Sequence, residues 1–359
     1  MNNKTFQKIY KKIIQNIFKL IYGKVSYYPN SNKTSAIEKI IIKNKNFNNK
    51  KYFTYKIDKG RVYTDCIQNV ASISNNILHG PSSFQYAKDK IISPKFNAVL
   101  EDGTPRVRKE YNGTILSLIQ GASGENYFHW LMDILPRIKI CSENYPINKI
   151  NYFYIPNPSA AQRESLNLLG IKKKKIINSK LLRHIIADEI IFTTHPWCDK
   201  GKFNDQSNKL TDWSVFWLRE KFLKFKKKFK TSDRIFLDRS DNKYPRLNNY
   251  HQIRKKLEKQ NFQFIELSKL SFVKQIYLFW NAKYIIGPHG AAFTNLVFCK
   301  PRTNVIELKP YNHPGKYYER ISKINKLNYK SIYSPKKYLH DSKGDIYIDI
   351  KILNKAMNK

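Results

Sequence analysis

The stretch Ile285-Ile286-Gly287-Pro288-His289-Gly290-Ala291-Ala292-Phe293-Thr294-Asn295 decides how this chain is read. A short apolar run ends in a turn bounded by two glycines, and a segment of small and apolar residues begins at once. That pattern predicts a strand feeding directly into a helix, with the backbone drawn in closely at the turn. In a parallel sheet, ligands bind at the carboxyl ends of strands. Unpaired amides and partial positive charge at a helix start suit a phosphate or diphosphate. Gly287 and Gly290 leave room for that approach, Ala291 offers its amide, and His289 can donate to an anionic oxygen. Thr294 and Asn295 add hydrogen-bonding groups. The same glycines would serve a turn packed for geometry alone, and His289 with the alanine pair favours the site.

Around this stretch the C-terminal part alternates between short apolar runs and helical patterns. Strands are expected at Arg234 to Leu237, Phe262 to Leu267, Tyr284 to Ile286, Asn304 to Leu308 and Lys330 to Tyr333. Helices are expected at Asn249 to Gln260, Phe272 to Ala282 with Ser271 as N-cap, Gly290 to Phe298, and Tyr317 to Leu327. Such alternation means βαβ units and a parallel sheet with helices on both faces. The middle of the chain repeats the theme. Strands are expected at Thr114 to Ile119, Ile150 to Ile155 and Ile185 to Phe192. Helices are expected at Asn126 to Ile140 and Gln162 to Leu169, with GASGEN as a loop. Before residue 110, Arg61 to Ser74 holds one or two strands of mixed connectivity. Two successive α/β halves follow, joined near residues 200 to 230, which suits a chain of 359 residues at roughly 150 per domain.

Composition excludes several classes. At 41% hydrophobic and 14% aromatic the chain is too apolar to be disordered. The net charge of +39, from 66 Lys+Arg against 27 Asp+Glu, calls for an acidic partner: nucleic acid, an anionic membrane or a phosphate-bearing substrate. Dense basic runs occur at Lys172 to Lys175 and Lys224 to Lys230, but most lysines are scattered and no nucleic-acid module is visible. Cys66, Cys141, Cys198 and Cys299 have no metal-ligand or disulfide spacing and read as thiols in a reducing compartment. No apolar run approaches the roughly 18 residues of a membrane span, and the N-terminus lacks the build of a secretory signal. A cytoplasmic protein is expected. Within residues 1–24, Phe6, Ile9, Tyr10, Ile13, Ile14, Ile17 and Ile21 recur at helical spacing, with Lys4, Lys8, Lys11, Lys12 and Lys19 mostly on other faces. This basic amphipathic helix could either lie on an anionic membrane, peripheral to the inner membrane, or pack as an ordinary helix.

Three further constellations carry chemistry. Glu307 closes the strand Asn304 to Leu308, where a carboxylate commonly accepts ribose hydroxyls. Arg239 and Arg246, in DRSDNKYPRLNN, follow the first strand of the C-terminal half, where guanidinium forks suit phosphate. In NYFHWLMDILPR, His129 and Asp133 are four apart and share a helix face. Either could be a general base, with the carboxylate holding the imidazole or acting itself. No DxD pair, HExxH, EF-hand, GxSxG or P-loop occurs, so no metal is expected.

FHWLMDILPR, DRSDNKYPRLNN and GPHGAAFTNLVFCKPRTNVIEL, in this order, resemble family 61 glycosyltransferases, including bacterial capsule and surface-polysaccharide members. The resemblance spans roughly residues 110 to 310. It implies a GT-B fold, two Rossmann-like domains with parallel sheets facing a central cleft, and inverting, metal-independent transfer without a cofactor. The donor would be a nucleotide sugar, UDP-linked, and the acceptor a glycan or lipid-linked glycan. Arg239, Arg246, Gly287, His289, Gly290, Ala291, Thr294, Asn295 and Glu307 match the family's donor-binding positions. His129, Trp130 and Asp133 match its N-domain motif, and Gln275 falls where the family often carries Gln. Pro288 and Phe293 depart from the pattern. On this reading residues 1–215 form the acceptor side, 216–335 bind the donor, and 336–359 pack back on the N-terminal domain. The rival readings are a basic nucleic-acid-binding protein and a nucleotide-sugar-binding module without catalysis.

Overall fold

The computed structural model describes residues 3–27, 37–42, 50–65, 69–83, 85–87, 90–101, 106–119, 126–198, 201–202, 204–239, 247–336 and 345–358. Arg246 with the rest of 240–246, residues 120–125 of the GASGEN loop, and Cys66 lie outside them. The chain divides into two units, Met1–Ser159 with Ile171–Phe203, and Ala160–Gly170 with Asn204–Lys359. Both are α/β.

Unit 2 holds five parallel strands in the order Gln263–Glu266, Arg234–Asp238, Tyr284–Pro288, Asn304–Lys309, Asn328–Tyr333. All five expected strands are present to within a few residues. The central ones are buried on both faces because helices cover each side, so they read as continuous apolar runs rather than as alternation. Phe236, Ile286, Ile306 and Leu308 meet Ile253 and Leu257 of the helix Tyr250–Glu258 in one core. Counted along the chain, the order is second, first, third, fourth, fifth. The direction of winding therefore reverses between Arg234–Asp238 and Tyr284–Pro288, which makes their carboxyl ends a topological switch point.

Three expectations change in this unit. The helix Ala160–Leu168, expected in the first half, groups with unit 2. Glu164 there accepts a hydrogen bond from the Phe272 amide at 2.5 Å, so a carboxylate caps the helix Phe272–Asn281 and the Ser271 side chain does not. Residues 345–358, expected on the N-terminal domain, lie in unit 2, where Leu353 of the helix Ile350–Met357 is buried with Ile253 and Phe236.

Unit 1 departs from an all-parallel sheet. Its strands Lys109–Ser117, Tyr152–Ile155 and Ile176–Asn178 run parallel, and His184–Thr193 pairs parallel with the first of them. The first hundred residues then extend the sheet antiparallel through Tyr52–Asp58, Arg61–Thr64, Val70–Ser74 and Ile77–Leu78. The reason is local. Asn75 and Asn76 adopt φ of 45° and 59°, the left-handed pair that closes a two-residue hairpin between Val70–Ser74 and Ile77–Leu78. Ile115, Ile185, Ile190, Phe192 and Tyr154 fill the core beneath. The helix Asn3–Tyr22 leaves Phe6, Ile9, Tyr10, Ile13, Ile17, Leu20 and Ile21 exposed. Among the described residues no helix is long and apolar enough to cross a membrane. Cys141, Cys198 and Cys299 are buried and unbridged.

Burial pushes His79, His184 and His195 from the ordinary 6.5 down to about 4. Between those values the unfolded chain binds protons that the folded chain refuses, so stability rises with pH across this window and is lost on acidification. Each group contributes up to about 1.4 kcal/mol per pH unit there. Urea unfolding is expected to show a clearly lower midpoint at pH 5.0 than at pH 7.5. An unchanged midpoint would contradict the burial of these rings.

Candidate functional site

In unit 1 the second candidate motif begins at a capped helix start. The Asn126 side chain accepts a hydrogen bond from the Phe128 amide at 2.8 Å. The expected helix is not uniform. Trp130–Ile134 widens into a π turn in which the Leu135 amide bonds the Trp130 carbonyl, before α-helix resumes over Leu135–Ser142. Pro136 explains this, since it has no N–H for the Met132 carbonyl and its ring crowds the preceding turn. The π turn carries Asp133 inward.

Asp133 is 1% exposed and His129 17%. The His129 Nδ1–H donates to Asp133 Oδ2 at 2.6 Å, which puts the ring's lone pair on Nε2. Trp197 Nε1–H donates to Oδ1 at 2.8 Å, and His195 Nε2 lies 3.5 Å from Oδ2. His195 Nδ1 accepts the backbone N–H groups of Trp197 and Cys198 at 3.3 and 3.0 Å, so its proton sits on Nε2, facing the carboxylate. Arg137 Nε holds the Asp133 carbonyl oxygen at 2.9 Å. Burial by itself would raise the Asp133 carboxyl. The neighbouring His195 and His129, by charge and hydrogen bond, outweigh it and hold the group far below the usual carboxylate range. Arg137 is pushed down to about 10 by burial, opposed by Asp133. The carboxylate is enclosed by three ring N–H groups and holds the His129 ring.

In unit 2 the switch point gathers the donor-side candidates. The strand Tyr284–Pro288 ends with the His289 amide bonded to the Leu308 carbonyl at 2.7 Å. Arg239, just past Arg234–Asp238, donates from its guanidinium to the His289 carbonyl. The glycines are explained by close approach: a Cβ on Gly290 would collide with the Arg239 guanidinium, and one on Gly287 would come within 2.8 Å of Leu237 Cβ. His289 Nδ1–H donates to Glu307, whose other oxygen accepts the Tyr329 hydroxyl. Lys309 Nζ stands 3.6 Å from that oxygen and bonds the Gly315 carbonyl at 3.0 Å. Burial would raise the Glu307 carboxyl, but His289, Lys309 and Tyr329 together hold it below its ordinary value. The His289 ring lies tilted against that of His313, with centroids 3.9 Å apart, and burial with the adjacent His289 and Lys309 pushes His313 down to about 4.

Several sequence expectations shift here. Glu307 was expected at a ribose, but it is wholly buried with its oxygens engaged by protein groups, and it orients His289. The expected α-helix from Gly290 is a 3₁₀ helix over Ala291–Phe298. Thr294 and Asn295 are buried and bond back to the carbonyls of Ala291 and Ala292 at 2.7 and 3.3 Å. These three-residue side-chain bonds support the tighter turn. Their part is to shape it. The first amides of the turn, Ala291 among them, have no partner inside the helix, as at any helix start. Gln275 Nε2–H bonds the carbonyls of Leu267 and Leu270 at 3.1 and 3.0 Å and lies beside Asn295. Arg246 lies outside the described residues.

The sequence reading missed His195, Trp197, Tyr329, Lys309 and His313. His195 and Trp197 follow the strand His184–Thr193, and their place just past a strand's carboxyl end was the one signal that could have raised them. Among the described residues no group of three or more His, Cys, Asp or Glu is arranged to hold a metal ion.

The described residues thus hold a buried carboxylate steering a histidine in one α/β unit, and a guanidinium meeting a glycine-bounded turn at a parallel-sheet switch point in the other. The family described as Glycosyltransferase 61 matches residues 127–306, half of the chain. The chain belongs to that family and is a glycosyltransferase. Comparison with curated proteins returned no match. The matched stretch runs from the first residue of the His129 helix to the residue before Glu307, so it contains His129, Asp133, Arg239 and the Gly287–Asn295 turn.

Proposed function

We propose that the chain is an inverting glycosyltransferase of GT-B type that moves a sugar from a nucleoside-diphosphate sugar, UDP-linked, to a glycan hydroxyl in surface or capsular polysaccharide synthesis. The observation that carries the donor half is the meeting of Arg239 with the His289–Gly290 turn at the switch point. The diphosphate is held there by Arg239, His289 and the Gly290 and Ala291 amides, in place of a metal, and Arg246 is the further arginine that the sequence assigns to the donor. Glu307 fixes the His289 ring. The acceptor half rests on His129: a hydroxyl oxygen bonds to the anomeric carbon as the bond to the β-phosphate oxygen breaks. The hydroxyl proton passes to His129 Nε2, and the nucleoside diphosphate leaves with the electron pair. Asp133 keeps the imidazole in the required tautomer. The polysaccharide role rests on the resemblance of the three motifs to family 61, which includes capsule and surface-polysaccharide members.

A thermal-shift panel of UDP-, GDP-, CMP- and dTDP-sugars in the presence of chelator tests the donor assignment. The UDP-sugar at about 100 times its dissociation constant is expected to stabilise by about 2.7 kcal/mol. No shift with any nucleotide sugar would refute the reading.

The acceptor is read as lipid-linked, with the enzyme on the cytoplasmic face of an anionic membrane. On the helix Asn3–Tyr22, the exposed apolar residues from Phe6 to Ile21 occupy one arc of about 120° at 3.6 residues per turn, with Lys8, Lys11, Lys12 and Lys19 opposite. The helix has no acidic residue, so a second copy of it would be repelled rather than paired. Sedimentation with vesicles containing phosphatidylglycerol is expected to capture the protein. The double variant Ile13→Glu, Ile17→Glu is expected to stay in the supernatant, and capture equal to the unaltered chain would count against a membrane role.

A further inference from the structure

Unit 1 contains a second site, separate from the His129 cluster. A cavity of about 320 Å³ lies between the C-terminal half of the helix Asn3–Tyr22 and the antiparallel strands Arg61–Thr64 and Val70–Ser74. That volume falls in the range of about 300–1,000 Å³ used by small-molecule sites. Its lining shares no residue with His129, Asp133 or His195. Arg61, Arg106, Lys19, Lys24 and Lys95 border it, against a single carboxylate, Glu101.

Arg61 decides what the cavity is for. It is 7% exposed and makes no ion pair among the described residues. One of its amino groups donates to the Tyr22 carbonyl at 2.9 Å, while its buried Nε has no hydrogen-bond partner among the described residues. Burial and the nearby Arg108 lower its basicity only to about 10, so it stays charged near neutrality. A buried guanidinium without a counter-ion is costly unless an anion joins it. His184 borders the same space. Its Nδ1–H donates to the Arg106 carbonyl at 2.8 Å, and its buried Nε2 has no partner among the described residues. A phosphate monoester in the cavity would bring its anionic oxygens toward Arg61 and, when singly protonated, its P–OH toward His184. Ile73, Leu78 and Val99 form an apolar wall beside these groups, which suits a ligand with a hydrocarbon body.

We propose that this cavity binds the head of a phosphate-bearing amphiphile, with its apolar portion along that wall. The inference is independent of glycosyl transfer, and its test needs no turnover. Calorimetric titration of the full chain with decyl phosphate is expected to show saturable binding. Inorganic phosphate is expected to bind at least ten-fold more weakly, and decyl maltoside not to saturate. Arg61→Gln is expected to weaken decyl phosphate at least ten-fold, while Arg239→Gln, in unit 2, leaves it intact. Arg106→Gln, which removes a second cation from the same wall, serves if the Arg61 variant fails to fold. Equal binding of inorganic phosphate would overturn the amphiphile, and equal binding of decyl maltoside would overturn the phosphate. Loss in Arg239→Gln with retention in the cavity variants would move the ligand to the other unit and overturn the site.

Discussion

His129→Ala is expected to lower kcat by about 10³-fold while leaving the dissociation constant of the nucleotide sugar within about two-fold of its original value. The magnitude follows from the 10²–10⁴-fold worth of a positioned general base. The split follows from the geometry, since His129 lies in unit 1 and the groups assigned to the diphosphate lie in unit 2. The base could not be assigned between His129 and Asp133 from spacing alone. Burial separates them: Asp133 is enclosed by His129, His195 and Trp197 and held strongly acidic, whereas His129 retains exposed surface. Asp133→Asn therefore acts differently. Its amide NH₂ would face ring N–H donors, so both kcat and thermal stability should fall. Single-turnover kinetics with a separate donor titration measures the split. Full turnover by His129→Ala would return the role of base to another group.

Arg239→Gln is expected to reduce kcat/KM by about 10²-fold or more, the cost of losing one preorganised donor from a developing anion. Arg239 also fixes the turn itself through the His289 carbonyl, and Gly290 lacks a Cβ where that guanidinium passes. Arg239→Lys should rescue little, because an ammonium cannot fork between a carbonyl and a phosphate. Steady-state kinetics at varied donor concentration checks this. A KM and kcat both near the original values would remove Arg239 from the site.

The sheet of unit 2 was legible because its central strands are buried on both faces and helical patterns separate the strands, so period and length agree. The strand-to-turn step at Gly287–Gly290 was legible for the same reason. Unit 1 was read less well. One of its antiparallel pairings closes on Asn75–Asn76, a turn signal that stands outside any helical alternation, and the helix Ala160–Leu168 groups with unit 2 without a mark in its own composition. Pro136 was the mark of the π turn in the sequence. At the site, residues close in sequence were found, such as His129 with Asp133. Partners distant in sequence were not: His195 and Trp197 reach Asp133 across 62 and 64 positions, and Tyr329 reaches Glu307 across 22. Nothing in the sequence pairs such groups. The inward aim of Thr294 and Asn295 was missed because a 3₁₀ turn and an α-helix share the same residue preferences there.

A pyrophosphate held at the switch point of unit 2 is the central expectation. The most direct measurement is a crystal structure of the chain with a bound nucleoside diphosphate, grown in chelator. The predicted result places the β-phosphate within hydrogen-bond distance of the Arg239 guanidinium and the Gly290 or Ala291 amide. A diphosphate bound elsewhere, with those groups untouched, would contradict it.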